Sequence, residues 1–336
     1  MKGRVRMMPY ITVLVGVALW SFALATLVAL SIHWWSGDHL FLGRTTGYLM
    51  PWLLVILLPG IVYALMMQHW FLAVALGISL VTVLIANAPL LLPRHHVVHA
   101  NSSDLNVMSF NIWSKNAHPE QIAVAISEQQ PDILLLQEMT PPQFETFSRT
   151  LDGRGETWHK AYEPALLQAV VSRYPLKSQW AKGNKAKAQV VSVETPLGPV
   201  ILFNVHPQWG NWARRNRQLS ELLRDDILPG KLPVILAGDF NTTDQSEIFR
   251  LLIGSLHNAH LEAGQGFGFS FPAALDIKNR QYPFFPIVRI DHIFFSDHFV
   301  ALNAATLDEA YGSDHRPVAV SLALNPSIDT QIARYR

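Results

Sequence analysis

The chain has 336 residues, no cysteine, a formal net charge of +1 and only 15% charged side chains. The lack of cysteine excludes disulfides and thiolate metal sites, and the near-zero charge excludes a global basic field for holding long nucleic acid. The length exceeds one ordinary domain and predicts two units.

Charge is unevenly spread. Residues 1–93 carry only Lys2, Arg4, Arg6, Asp38 and Arg44, and no charged residue lies between Arg44 and Arg94. A hydrocarbon core about 30 Å thick takes about 20 apolar residues per helical pass. Three membrane-spanning helices are therefore predicted, near residues 9–32, 48–67 and 71–92, within a membrane region of residues 1–93. Gln68-His69-Trp70 separates the last two, and Pro59-Gly60 predicts a kink in the second. A cleaved signal peptide is the alternative for the first segment. Its apolar core is too long for that, and no small-residue cleavage site precedes a polar stretch. Lys2, Arg4 and Arg6 predict a cytoplasmic N-terminus, so three passes place the rest of the chain on the extracytoplasmic side of an inner or plasma membrane. Trp34, Trp35, Tyr48, Trp52 and Trp70 fall where an aromatic interface belt is expected. Residues 94–104 form a polar linker. Its His95, His96 and His99 read as juxtamembrane filler, since no further ligand is spaced for a closed metal site.

From residue 105 short apolar strands alternate with polar turns and a few helices. Strands are predicted at 105–110, 131–138, 232–241, 288–296 and 316–324. A hairpin joins AQVVSVET to PVILFNVH across Pro196-Leu197-Gly198. Helical spacing marks 120–130 and 211–228, with a short helix at SEIFRLLIGS. This mixture is α/β or α+β, and about 220 residues suffice for a large two-sheet core. The domain is expected to span 105–325, with a tail at 326–336.

Polar residues recur at the ends of these strands: Asn111, Glu138, His206, Asp239 and Asn241. Asp291 lies inside the apolar run RIDHIFF, and Asp314-His315 precede the last strand. Strand-end loops on a rigid sheet are where catalytic groups are held. Each also has a plain reading. Asn111 could cap a turn, Glu138 could be the first solvated residue after its strand, and GDFN could be a β-turn. Asp291 is harder to dismiss, because a carboxylate in a half-buried strand needs a partner. His315, Arg289 and Arg316 are the candidates.

Taken together, SFNIW, LLLQE, NVHPQW, AGDFN, RIDHIFFS and GSDHRPV resemble, in order, the motifs of the endonuclease/exonuclease/phosphatase superfamily of deoxyribonuclease- and sphingomyelinase-like phosphoesterases. The resemblance covers about residues 105–324. It implies a four-layer sandwich, two mixed β-sheets packed face to face with helices outside, here preceded by three transmembrane α-helices. It implies hydrolysis of phosphate esters with Mg²⁺ or Mn²⁺. It makes Glu138 the main metal ligand, with Asn111 beside it and Asp314 near the metal. Asp239 would position or deprotonate the attacking water, and Asn241 would hold a phosphate oxygen. His206 would hydrogen-bond the phosphoryl oxygens, His315 would complete the site, and Asp291 would orient it. In deoxyribonuclease-like members a further acid supports the histidine equivalent to His206; Glu163 is a loose candidate.

The family's substrates span DNA, lipids and sugar phosphates, so fold does not choose among them. RRNR at 214–217 could bind phosphate or be a solvated helix face. Tyr282-Pro283-Phe284-Phe285-Pro286 could grip a base, a lipid chain or the bilayer surface, or pack under a loop. The partners implied are a phosphate-ester substrate and the lipid bilayer; no protein partner is evident. A membrane-anchored phosphoesterase is expected, with an extracytoplasmic nuclease and an inactive membrane-tethered binding module as alternatives.

Overall fold

The computed structural model describes residues 8–92, 104–178, 188–208, 210–278 and 280–326. His95, His96, His99, Trp209 and nearly all of the expected linker and tail lie outside these residues. The chain forms two compact units that divide after Leu92, with Gln245–Glu247 grouped with the first.

The first unit consists of three helices, α1 (Met8–Ser36), α2 (Phe41–Met66) and α3 (Trp70–Leu91). All three are long and apolar enough to cross a membrane. α2 begins seven residues before the predicted span. Its first turns absorb polar residues that an apolar window leaves out: Thr45 and Thr46 donate to the carbonyls of Phe41 and Leu42, and Arg44 donates to that of Asp38. The helix runs on through Pro51 and Pro59. Leu30, Met50, Leu57, Leu72, Leu76 and Val83 interlock as a core. Other large apolar residues, such as Trp35 and Phe71, stay outward. That is the inverse of a soluble bundle and suits helices with a lipid-facing side.

The second unit carries two six-stranded sheets. In one, the order is β13 (Phe299–Thr306), β14 (Val318–Leu324), β1 (Leu105–Asn111), β2 (Ile133–Gln137), β4 (Gln168–Ser172) and β3 (His159–Glu163). In the other it is β5 (Leu176–Ser178), β6 (Ala188–Thr195), β7 (Gly198–Val205), β8 (Val234–Asp239), β12 (Asp291–Phe295) and β9 (His257–Asn258). A separate hairpin pairs β10 (Ala274–Ile277) with β11 (Arg280–Pro283). β1 runs parallel to β2 and β7 parallel to β8; the other pairs are antiparallel.

The period-2 geometry of a strand divides each buried run between two cores. Ile133 and Leu135 of β2, and Ile235 and Ala237 of β8, face the layer between the sheets. Leu134 and Leu136 turn to the helices α4 (Pro119–Gln129) and α5 (Pro141–Asp152). Leu236 turns to α6 (Trp212–Leu222) and α7 (Glu247–Ile253). Burial on both faces is why these strands read as continuous apolar runs rather than alternating ones. The remaining helix is α8 (Ala259–Ala263). The result is two mixed sheets, face to face, with helices outside.

Strand direction gathers the polar residues on one edge. The parallel pairs bring the C-terminal ends of β1 and β2, and of β7 and β8, side by side. β12 runs antiparallel, with Asp291 directly across from Asp239. β14 is antiparallel to β1, so the segment leading into it reaches the same edge.

Candidate active site

Glu138 follows β2 in a left-handed conformation, φ 58°, as do Trp113 (φ 62°) and Asn241 (φ 53°). Such conformations cost of order 1–3 kcal/mol in non-glycine residues and persist where surrounding contacts over-determine them. Those contacts are present. Glu138 Oε2 accepts from the backbone N–H and the hydroxyl of Ser114, at 3.1 and 3.0 Å. Its Oε1 accepts from Asn111 Nδ2 at 3.2 Å. Burial pushes the Glu138 carboxyl up, but the Ser114 N–H, His206 and these side-chain donors outweigh it and hold the acid below its ordinary range.

Asp239 ends β8 and is almost wholly buried. Oδ1 accepts from Asn241 N at 2.8 Å, and Oδ2 accepts from Asn111 Nδ2 at 3.1 Å. The same Oδ2 lies 3.7 Å from His206 Nε2 and 3.7 Å from His315 Nε2. Burial and the neighbouring Asp291 raise the Asp239 pKa, against the pull of the two imidazoles. Gly238, just before it, has φ +151°, and a Cβ there would come within 1.9 Å of the Val205 carbonyl oxygen. Only glycine lets β8 approach β7 this closely.

Asp291 finds the partner its burial demands. Oδ2 accepts from His315 Nδ1 at 2.8 Å and from the Ser270 hydroxyl at 2.6 Å. The two arginines are engaged elsewhere, Arg289 with Asp244 at 3.1 Å and Arg316 with Asp308 at 3.5 Å. Burial lowers the His315 pKa, but Asp291 and Asp239 outweigh it and push it up to about 10, so the ring is an imidazolium at neutral pH. Phe271 covers the ring, with centroids 4.7 Å apart. Ser313 ties this segment to β1: its hydroxyl donates to the Asn111 carbonyl at 2.7 Å and accepts from His315 N at 3.0 Å.

Asp314 is half-buried, but its Oδ1 is fully enclosed and has no hydrogen-bond partner. Burial, then Glu138 and Asp239, push its carboxyl up to about 6, against the pull of His315. A buried carboxylate oxygen without a partner, near two further acidic charges, is a candidate cation ligand, and Asp291 Oδ1 is likewise enclosed and unpartnered. The donors around Asp314 are hard oxygens, the set that suits Mg²⁺ or Mn²⁺. By spacing alone, Asp239, Asp291 and His315 could also hold an ion. Glu138 and Asp314, on the same edge, are a second set of oxygen ligands that could hold an ion.

The edge thus brings together Asn111, Glu138, Asp239, Asn241, Asp291 and His315, with His206 within 3.7 Å of Glu138 Oε1 and Asp239 Oδ2. Asp314 lies close enough for the charges of Glu138 and Asp239 to act on it. Asn111 does more than line the site. Its oxygen accepts from Trp113 N at 3.0 Å, so in this arrangement its nitrogen clamps the two acids together. Glu163 is not the support for His206: its carboxylate accepts from Ala165 N at the turn after β3 and has no bond to that ring. Within the RRNR stretch Arg215 turns inward and donates to the Asn241 carbonyl at 2.5 Å, while Arg214 and Arg217 stay exposed. Sequence reasoning missed Ser114, Ser270 and Ser313, and named Arg215 only within RRNR, not as a support for Asn241. Ser313 lies inside the GSDHRPV segment and Ser114 directly follows SFNIW.

The profile of the Endonuclease/Exonuclease/phosphatase family matches residues 108–315. The chain belongs to this family. Among curated proteins, a UPF0294 protein of Vibrio campbellii (strain ATCC BAA-1116) is 25% identical over 237 residues, covering 66% of this chain and 78% of that protein. An endonuclease/exonuclease/phosphatase family protein from Bacteroides thetaiotaomicron shares the fold with TM-score 0.56 and 18% identity, covering 67% of this chain and 100% of its own. The TDP2 of D. rerio, solved with a single-strand DNA product, superimposes with TM-score 0.52 and 15% identity over 66% of this chain and 100% of its own. Members of the family are hydrolases that act on phosphate esters. The two packed mixed sheets flanked by helices are this family's frame.

Proposed function

We propose that the protein is a membrane-anchored, Mg²⁺- or Mn²⁺-dependent phosphoesterase with its catalytic unit on the extracytoplasmic side, and that it acts on a lipid or another envelope phosphate ester. The observation that supports this best is the gathering of Glu138, Asp239 and Asp314, whose Oδ1 is enclosed without a partner, on one edge beside two histidines. Glu138, Asp314 and, after turning its amide, Asn111 would hold the cation. When bound, the cation neutralises charge on the phosphoryl oxygens and polarises the phosphorus.

The chain's own residues supply the rest. Asp239, fixed by the Asn241 backbone N–H, orients a water in line with the leaving group and takes its proton. Asn241 and His206 donate to the phosphoryl oxygens as negative charge builds. The His315 imidazolium, held by Asp291 through Nδ1, presents Nε2–H to the same centre. Asp291 and Ser270 fix the ring's orientation. Phe271 keeps water from its face.

The test is turnover by the purified full-length protein on one panel: phospholipids including sphingomyelin, sugar and inositol phosphates, and DNA. Cleavage of a lipid or sugar phosphate, lost in Asp239→Ala and in chelator, is the expected result. Cleavage of DNA alone would favour the extracytoplasmic nuclease. Silence on the whole panel from folded, cation-binding protein would leave the binding module.

A further inference from the structure

The hairpin of β10 and β11 is a two-stranded sheet with no third strand. An isolated hairpin of this kind is marginal in water unless one face is covered. Its tip and the following strap leave Ile277, Tyr282, Phe284, Phe285 and Ile287 open, with Phe285 64% exposed. Among the described residues of the second unit, Tyr282, Phe284 and Phe285 are the large aromatic side chains left exposed. Lys278 and Arg280, also exposed, stand at the turn.

This element belongs to the rim of the active site. Phe284 N donates to the Ala273 carbonyl at 2.8 Å, and Ala273 N donates to the carbonyl of Asp314 at 2.7 Å. On the other flank Lys115 Nζ reaches Asp276 Oδ2 at 2.6 Å, two residues from the Trp113 that orients Asn111. The strap is thus fastened at one end to a proposed cation ligand and at the other to the loop that holds Glu138.

Aromatic and aliphatic side chains beside lysine and arginine are the composition of an element seated in the headgroup region of a bilayer. Rings occupy the boundary, and cations meet anionic lipid. A bilayer is also within reach. Eleven residues separate Leu92, which follows the last apolar helix, from Asp104. A chain of that length spans at most about 40 Å, comparable to the width of a domain of this size. A surface held so near lipid needs little intrinsic affinity to stay engaged.

We propose that Ile277, Tyr282, Phe284, Phe285 and Ile287 form an interfacial element that seats the rim of the active site on a lipid bilayer. It deepens the reading above, in which the substrate is membrane-borne, and it rests on that reading for its purpose. Its test does not depend on turnover.

The chain has no cysteine, so a single Phe285→Cys site takes a nitroxide label uniquely in the full-length protein; Arg149→Cys, exposed in the last turn of α5, is the reference. Both are reconstituted into vesicles of phosphatidylcholine, with and without phosphatidylglycerol. Collisions with oxygen and with a water-soluble nickel chelate are then compared. At 285 the nickel accessibility should fall several-fold and the oxygen accessibility rise, more so with phosphatidylglycerol, while 149 stays aqueous. Equal nickel accessibility at the two sites would overturn the proposal. So would spin–spin broadening at 285, which would mean that a second copy covers the rings. An aqueous 285 label on protein that hydrolyses its substrate would sink this inference alone; an interfacial label on silent protein would sink only the enzyme.

Discussion

At the residue scale the pair of Asp291 and His315 carries the clearest consequence. Asp291→Asn keeps the shape and the Ser270 contact but removes the charge that holds His315 as an imidazolium. The variant should fold, and kcat/KM should drop by roughly 10²–10⁴-fold, the range for a positioned acid–base group. An unchanged rate would take Asp291 out of the mechanism. Asp314 yields a pH effect of defined sign. Its carboxyl, pushed up to about 6, holds a proton more tightly than the unfolded chain does near about 3.9. Without a cation, folding should therefore lose stability as pH rises from about 4 to about 6, by on the order of 3 kcal/mol, and stay at that cost above it. Asp314→Asn should flatten this slope in chelator melts, and Mg²⁺ should raise the wild-type melting temperature far more at pH 7 than below pH 6. A wild-type slope identical to that of the variant would contradict the assignment.

At the element scale the question is what keeps the two sheets in register beneath the site. Asn204 of β7 lies fully buried between them. It accepts from Gln137 Nε2 at 2.8 Å, and its own amide donates to Leu136 O, Ala169 O and Gln189 Oε1. Gln137 directly precedes Glu138, and Asn204 stands two residues before His206. Asn204→Leu should cost about 2–4 kcal/mol in denaturant unfolding, since it orphans several buried groups at once. Gly238→Ala should cost at least as much, because its Cβ meets backbone rather than a yielding side chain.

These contacts also show what the sequence could reveal. Strands such as β2 and β8 were legible because burial on both faces makes unbroken apolar runs, and each ends on a polar residue. Asp291 was legible because a lone carboxylate in an apolar strand demands a partner. β3, β4 and β13 were not: β3 is half-buried throughout, mixed exposure breaks the pattern of β13, and β4 has only three apolar residues between Gln168 and Ser172. α5 was missed although Thr140, Pro141 and Gln143 form a capping box, a readable signal. The roles of Ser114, Ser270 and Arg215 could not be read, for they exist only once distant loops meet.

At the scale of the whole molecule, three membrane-length helices precede a phosphoesterase-family domain. The proposed orientation, argued from the positive N-terminus, puts that domain outside the cytoplasm. In intact cells, an Arg149→Cys protein should react with a membrane-impermeant maleimide; labelling only after lysis would reverse the orientation. The most direct test of the central claim is hydrolysis of bis(p-nitrophenyl) phosphate by the full-length protein and by Glu138→Gln. The account expects wild-type turnover that chelator abolishes and Mg²⁺ restores, and a folded variant reduced by about 10²-fold or more. Wild-type turnover indifferent to chelator, or a variant as active as wild type, would contradict it.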